Sequence, residues 1–435
     1  MVCFSKSNLS KREGQLKWLL LLAGLFSLTR INLGGTIAIS ELVAVLMAPY
    51  VFMKNIGSFK KDGLQTVLWL SFLWFLGAIV SDIYSHNALK FAMKGIATPI
   101  VYMSCIICAY AMLKDDVRKV KWFVLGVALS YIVSTFVFQR ASAIGQDAYA
   151  EHAFEATIGY KLYWVDFVDH FALLPIRGWY LTTPWLYSVL AAGGASAFSL
   201  LSGARSKFMM LFATFVMIVF CAKNSNRVRA MQKHIFIVLV GLLCAFSIGK
   251  HIYTYSAQKG FLGEKELRKY ELQSREGDAF HMLMAGRVEF FVCLYAACQQ
   301  PLIGRGSWAM DWDGIYPEFV FKYGSEQDYA KLQKTIIETN NLHVIPFHSH
   351  IATYWMWHGI FGLLFWLYVL WIVVGLMRKN LWNVPELFGY FIATIPLFLW
   401  DLFFSPIGER FYEAVLIVLC ILVRDKFALF QSNNF

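Results

Sequence analysis

Long apolar runs alternate along this chain with short polar connections that are mostly basic. The runs lie at 16–33, 36–53, 64–84, 91–113, 121–138, 156–176, 180–202, 206–222, 234–250, 351–377, 385–403 and 411–423. Most of them approach the roughly 20 residues that a helix needs to cross the hydrocarbon core of a bilayer. One such run fits a buried helix of a soluble core, but this many do not. The pattern predicts an all-α fold, a polytopic helical membrane protein with about 11–12 transmembrane helices and one large loop. That loop, 251–347, is charged over 264–276 and amphipathic over 287–299, and then stops at Pro301-Leu302-Ile303-Gly304-Arg305-Gly306, where proline and glycine end a helix. It is far longer than a connection requires, which marks it as functional. The expected division is 1–250 as an N-terminal transmembrane bundle with a polar segment at 139–180, 251–347 as a loop domain, and 348–435 as C-terminal transmembrane helices.

Composition agrees with the pattern and adds direction. Hydrophobic residues make up 58% and charged residues 15%, against roughly 25% charged in soluble domains. The net charge of +11 sits in short clusters between apolar runs and not along one polar face, so nucleic acid is not the expected partner. Loops rich in Lys and Arg stay cytoplasmic. Lys54/Lys60/Lys61, Lys114/Arg118/Lys119/Lys121, Lys223/Arg227/Arg229/Lys233, Arg378/Lys379 and Arg424/Lys426 are therefore expected inside, with 81–87 and 251–347 outside. The basic stretch 6–17 precedes no small-residue cleavage site, so 16–33 reads as a retained first span. For both 114–121 and 223–233 to be cytoplasmic, 156–176 must also cross, or form a re-entrant pair. It carries Lys161, Asp166, Asp169 and His170, which are costly at bilayer depth unless they line a protein-buried or watered cavity. Either arrangement leaves 202–207 outside.

The outer face then collects Arg205, Arg287, Arg305, His348 and His350. Guanidinium groups suit a diphosphate, because they donate paired hydrogen bonds and keep their charge. A histidine beside them can accept a proton from a hydroxyl nucleophile near neutral pH. Bland roles exist for each: a headgroup anchor for Arg205, the polar face of an interfacial helix for Arg287, and capping or interfacial contacts for the two histidines. The i, i+2 spacing of His348 and His350 is wrong for two metal ligands on one helix face. Cys105 and Cys108 form a C-x-x-C inside an apolar run without a second pair, which reads as packing; no metal or cofactor is expected. Glycine-rich phosphate loops, G-x-S-x-G and H-E-x-x-H are absent from the sequence. An enzyme of this kind working outside the cytoplasm would need a substrate that is already activated, such as a lipid-diphosphate sugar.

Three blocks carry a resemblance. His348-Ser349-His350-Ile351-Ala352-Thr353-Tyr354 leads into His358-Gly359-Ile360-Phe361-Gly362; Gly286-Arg287-Val288-Glu289-Phe290 precedes Gln300-Pro301-Leu302-Ile303-Gly304-Arg305-Gly306; and Ala204-Arg205-Ser206 precedes a span. Their order, across about half the chain, resembles the O-antigen ligase and O-antigen polymerase superfamily. The family often has Ser or Thr where this chain has Ala204, and Asn where it has Ser349. The resemblance implies a metal-independent, inverting membrane glycosyltransferase of the bacterial inner membrane, with its active site facing the periplasm. Its substrate would be an undecaprenyl-diphosphate-linked oligosaccharide, its acceptor a glycan or glycolipid, and its associates a flippase and a chain-length regulator. Arg205 and Arg287 would hold the diphosphate, with Arg305 as a further diphosphate-binding residue. His348 would deprotonate or orient the acceptor hydroxyl. His350 ranks second, because the Gly359/Gly362 spacing aligns with the first histidine.

Polymerase and ligase share these motifs and differ in acceptor; the resemblance favours a polymerase that joins one lipid-linked repeat to another. A transporter or flippase is the reading from a different class, suggested by Lys161, Asp166 and Asp169 within an apolar run.

Overall fold

The computed structural model describes residues 6–32, 36–136, 164–202, 204–234, 288–323, 344–405 and 409–432, with isolated residues between 255 and 267 and at 332. The chain is an all-α polytopic membrane protein. In order, its helices are α1 (Lys6–Leu25), α2 (Ile39–Lys61), α3 (Gln65–Tyr84), α4 (Leu89–Leu113), α5 (Val120–Phe136), α6 (164–172), α7 (Leu174–Trp179), α8 (Trp185–Leu201), α9 (Arg205–Cys221), α10 (Ser225–Lys233), α11 (Val288–Gln299), α12 (Ile315–Tyr323), α13 (His350–Gly375), α14 (Pro385–Phe404) and α15 (Arg410–Ser432). Among the described residues, α2, α3, α4, α13 and α14 are long and apolar enough to cross a bilayer; α8, α11, most of α9 and the 14–25 part of α1 are apolar but shorter.

Several boundaries differ from the hydrophobic runs, each for a local reason. The first run continues past the helix, since α1 ends at Leu25 and the chain enters a short antiparallel hairpin, Arg30–Asn32 with Thr36–Ala38. The hairpin delivers the start of α2, where the Glu41 carboxylate accepts from the Ala38 amide at 3.1 Å and satisfies an orphan donor of the first turn. The run 411–423 extends to Ser432 as α15. The run 234–250 lies outside the described residues. Cys105 and Cys108 are buried free thiols among the side chains of α4.

Small residues let helices approach closely. Gly24 of α1 and Gly126 of α5 face each other's backbones, and a β-carbon on either would lie 2.2 Å or less from a carbonyl oxygen of the other helix. The outward side of α2 presents Leu46, Met47, Tyr50 and Met53, a stripe suited to lipid.

The connections sort into two ends. At the basic end, Lys121 sits over the Trp179 ring, Lys223 donates to the carbonyls of Leu181 and Thr183, and Gln232 donates to the Met377 carbonyl at 3.0 Å. At the opposite end lie the 81–89 turn, the start of α9, the loop after α11, the entry to α13, the end of α14 and the start of α15. The described part of the charged run 156–176 lies in α6 and α7, which lead from Asp166 beside Lys207 at this opposite end to Trp179 at the basic end. Residues 156–163, including Lys161, lie outside the described residues. From the predicted loop domain 251–347, α11 and the loop after it pack directly onto α13.

Candidate functional site

The expected continuous span 351–377 is interrupted. Gly359 has φ 64° and ψ −150°, so α13 consists of a half-helix, 350–358, and a longer membrane-crossing part. A break frees carbonyl and amide groups, and inside a membrane these need protein partners. The loop after α11 supplies them. Arg305 donates its amide to the Met356 carbonyl at 2.7 Å, Gly306 to the Trp357 carbonyl at 3.1 Å, and the Ile360 amide donates to the Leu302 carbonyl at 3.0 Å. Ser81 of α3 adds its hydroxyl to the Trp357 carbonyl at 2.5 Å. The approach is close enough to demand glycine: Gly304 has φ +88°, and a β-carbon on Gly359 would lie 2.1 Å from the Leu302 oxygen. The 300–306 stretch and the His348–Gly362 block are therefore one structural unit.

Both ends of the half-helix are pinned by buried histidines. At its last residue, the Trp74 indole donates to His358 Nδ1 at 2.7 Å. An indole N–H only donates, so Nδ1 accepts and the ring proton sits on Nε2. Nε2 faces Ser307 Oγ at 3.0 Å, and that hydroxyl donates to Asp82 Oδ2 at 2.8 Å. The chain runs in one direction, from Trp74 through His358 and Ser307 to Asp82, whose other oxygen accepts from the Ser307 amide at 2.6 Å. Asn87 also donates to Asp82, at 2.9 Å.

At the first residue, His350 Nδ1 meets the Asp401 carbonyl at 2.9 Å, and Nε2 meets Glu413 Oε1 at 3.1 Å. The other oxygen of Glu413 accepts from the Tyr102 hydroxyl at 2.5 Å. Ser349 caps the half-helix by accepting from the Ala352 amide at 3.1 Å, and donates to the Leu402 carbonyl at 3.1 Å. A small hydroxyl residue at 349 thus fits the cap. His348 lies just before, half-buried, at the end of an extended segment whose Ile345 amide donates to Ala309 at 2.9 Å. Its own amide contacts the sulfur of Cys293 on α11.

The three arginines fare differently. Arg305 lies beside the break; its guanidinium pairs with the exposed carboxylate of Asp313 at 2.8 Å and donates to Gln299. Arg205 opens α9 at the same end of the bundle, and its side chain lies outside the described residues, as does Arg287 altogether. Val288, the next residue, is buried at the start of α11.

Beside the entry to α9 lies an ionic cluster. Lys207 reaches Asp166 at 2.9 Å and Asp169 at 3.8 Å, and Arg177 donates to Asp169 at 3.0 Å from a position only 1% exposed. His170 faces the Asp166 carbonyl at 2.9 Å. Opposite charges compensate one another, which offsets the desolvation that isolated charges would incur. Across the same end, Arg410 forks onto Glu41 with bonds of 3.1 and 2.8 Å, joining α15 to α2.

Trp74, Asp82, Ser307, Glu413, Tyr102, Lys207 and the Glu41–Arg410 pair are not among the residues the sequence singles out, and His358 stands there only as part of a motif. One signal was available: Glu41, Asp82 and Glu413 lie within apolar runs, where a carboxylate needs a partner. No protein-family model matches the chain, and no curated protein matches it significantly.

Proposed function

We propose that the protein is a membrane glycosyltransferase of the polysaccharide polymerase type, acting on the periplasmic face of a bacterial inner membrane. The observation that supports this most is that His348, the 302–306 loop docked on the half-helix behind it, and the start of α9 at Arg205 lie at the same end of the bundle. In this reading the donor is an undecaprenyl-diphosphate-linked glycan and the acceptor a hydroxyl of another lipid-linked repeat. The hydroxyl oxygen attacks the anomeric carbon, the bond from that carbon to the diphosphate oxygen breaks with inversion, and His348 takes the hydroxyl proton. Arg205 and Arg287, aided by Arg305 at the rim, neutralise the departing diphosphate, the role a metal plays in many other glycosyltransferases. Arg305 would exchange its exposed Asp313 partner for phosphate oxygens. An O-antigen ligase that moves the glycan to a lipid A core or a protein would use the same groups.

The Lys207–Asp166–Asp169–Arg177 cluster favours a second reading, a polysaccharide or lipid transporter, since buried ionisable groups commonly mark transport pathways. The lipid-linked glycan profile of a deletion strain separates the three. Loss of a polymerase leaves single repeats on the acceptor. Loss of a ligase leaves long chains on the carrier lipid, and loss of a flippase leaves single repeats on the carrier, inaccessible from the periplasm.

A further inference from the structure

We infer that His350 and Glu413 hold one proton between them, and that this pair positions His348; the second half of the inference rests on the reading of His348 as the base. The proton follows from donor and acceptor bookkeeping. The Asp401 carbonyl only accepts, so His350 Nδ1 carries hydrogen. A bare Nε2 facing a bare Glu413 oxygen at 3.1 Å would set two lone pairs against each other, so a proton lies between them. It sits on the ring as an imidazolium–carboxylate pair or on the acid as a neutral pair, and in both cases the Tyr102 hydroxyl fills the other Glu413 oxygen. Around the ring are Trp366 at 4.7 Å and Tyr354 at 6.3 Å between centroids, and His350 is 1% exposed, so no bulk water replaces a lost partner.

The geometry explains why such a pair would be kept. Through this one ring, α13 is tied to α14 at Asp401 and to α15 at Glu413, and through Glu413 to α4 at Tyr102. The adjacent Ser349 repeats the tie to α14 at Leu402. Both ring nitrogens of His350 are engaged, which makes it a poor proton acceptor for substrate and a good anchor. His348 is separated from it by one residue, so a shift of the first turn of α13 would carry His348 along. A misplacement of about 1 Å of a reacting group is enough to lose roughly 10²-fold in rate.

The test compares E413A, E413Q and H350A in the full-length protein in proteoliposomes supplied with a lipid-diphosphate-linked repeat unit. Glutamine satisfies every partner, its amide N–H donating to His350 Nε2 and its oxygen accepting from Tyr102. We expect E413A and H350A to lose about 10²-fold in kcat with KM for the lipid donor changed less than about threefold, and E413Q to recover to within about tenfold of the parent. Unfolding midpoints in detergent give a readout independent of catalysis: H350A and E413A should be non-additive in the double variant. Additive midpoints overturn the shared proton. An effect confined to KM, or E413Q as impaired as E413A, overturns the positioning role. A fully active H348A variant would strike the reading of His348 and with it the positioning role, while non-additive midpoints would still uphold the pair.

Discussion

A β-carbon built on Gly304 would lie 2.6 Å from the backbone nitrogen of Gly359, and both residues hold φ in the left-handed region. The loop after α11 and the break in α13 are thus shaped to each other's backbones. The break is a built feature: each polar group exposed by leaving helical geometry at Met356, Trp357 and Ile360 meets a partner on that loop or on α3. What the interruption yields is a short, separately anchored half-helix with His348 at its mouth.

Replacing either glycine by alanine should be severe. Backbone strain at positive φ costs about 1–3 kcal/mol and overpacking about 1–3 kcal/mol more. G304A and G359A should each lower the unfolding midpoint in detergent, whereas G375A, with nothing within 4 Å of the added carbon, should leave it unchanged. Equal midpoints for G359A and G375A would contradict the interlocked backbones.

Ser307 is the middle of the directed chain from Trp74 to Asp82. S307A leaves the His358 Nε2–H without its acceptor and removes a donor from Asp82, a loss of about 1–3 kcal/mol for a buried group left unpaired. A second consequence checks the tautomer. Nitrogen NMR of labelled His358 should show a protonated Nε2 and an unprotonated Nδ1 in the parent protein.

Lys207 compensates two carboxylates, so K207M should destabilise by about 3–5 kcal/mol, the scale of breaking a buried ion pair from one side. K207R should retain most of the stability, and D166N should partly rescue K207M because it removes a carboxylate left without its cation. The unfolding midpoints of K207M, K207R and the K207M/D166N double variant against the parent decide it. A K207M protein as stable as the parent would show that the cluster is solvated.

Orientation is open to direct labelling. In a background lacking the eight native cysteines, S202C and K90C should react with a membrane-impermeant maleimide on intact spheroplasts, and K379C only after permeabilisation. Labelling of K379C but not S202C on intact spheroplasts would invert the proposed sidedness and take Arg205 off the periplasmic face.

Fold class was legible because long apolar runs have few structural meanings, and most helix ends fall within a few residues of those runs. The break at Gly359 was not, since an apolar run carries no mark of the backbone dihedral inside it; in the sequence His358-Gly359 is only part of a motif, with no hint that Leu302 and Gly304 press against it. The candidate site was legible only in outline. His348, His350 and Arg305 lie at the end of the bundle where α9 begins. The partners that define their chemistry come from far along the chain, as Glu413 does for His350 and Tyr102 for Glu413, and a single sequence contains no signal that pairs them. Asp313, the partner of Arg305, is close in sequence, but nothing in its spacing distinguishes it from its neighbours.

The most direct measurement is chain extension by the purified protein in proteoliposomes, given a lipid-diphosphate-linked repeat and resolved by chain length. We expect the parent protein to build polymers on the carrier lipid, and H348A, folded and inserted with an unchanged unfolding midpoint, to leave the single repeat unconsumed. Polymers of parental length from H348A would contradict the glycosyltransferase mechanism proposed for this site.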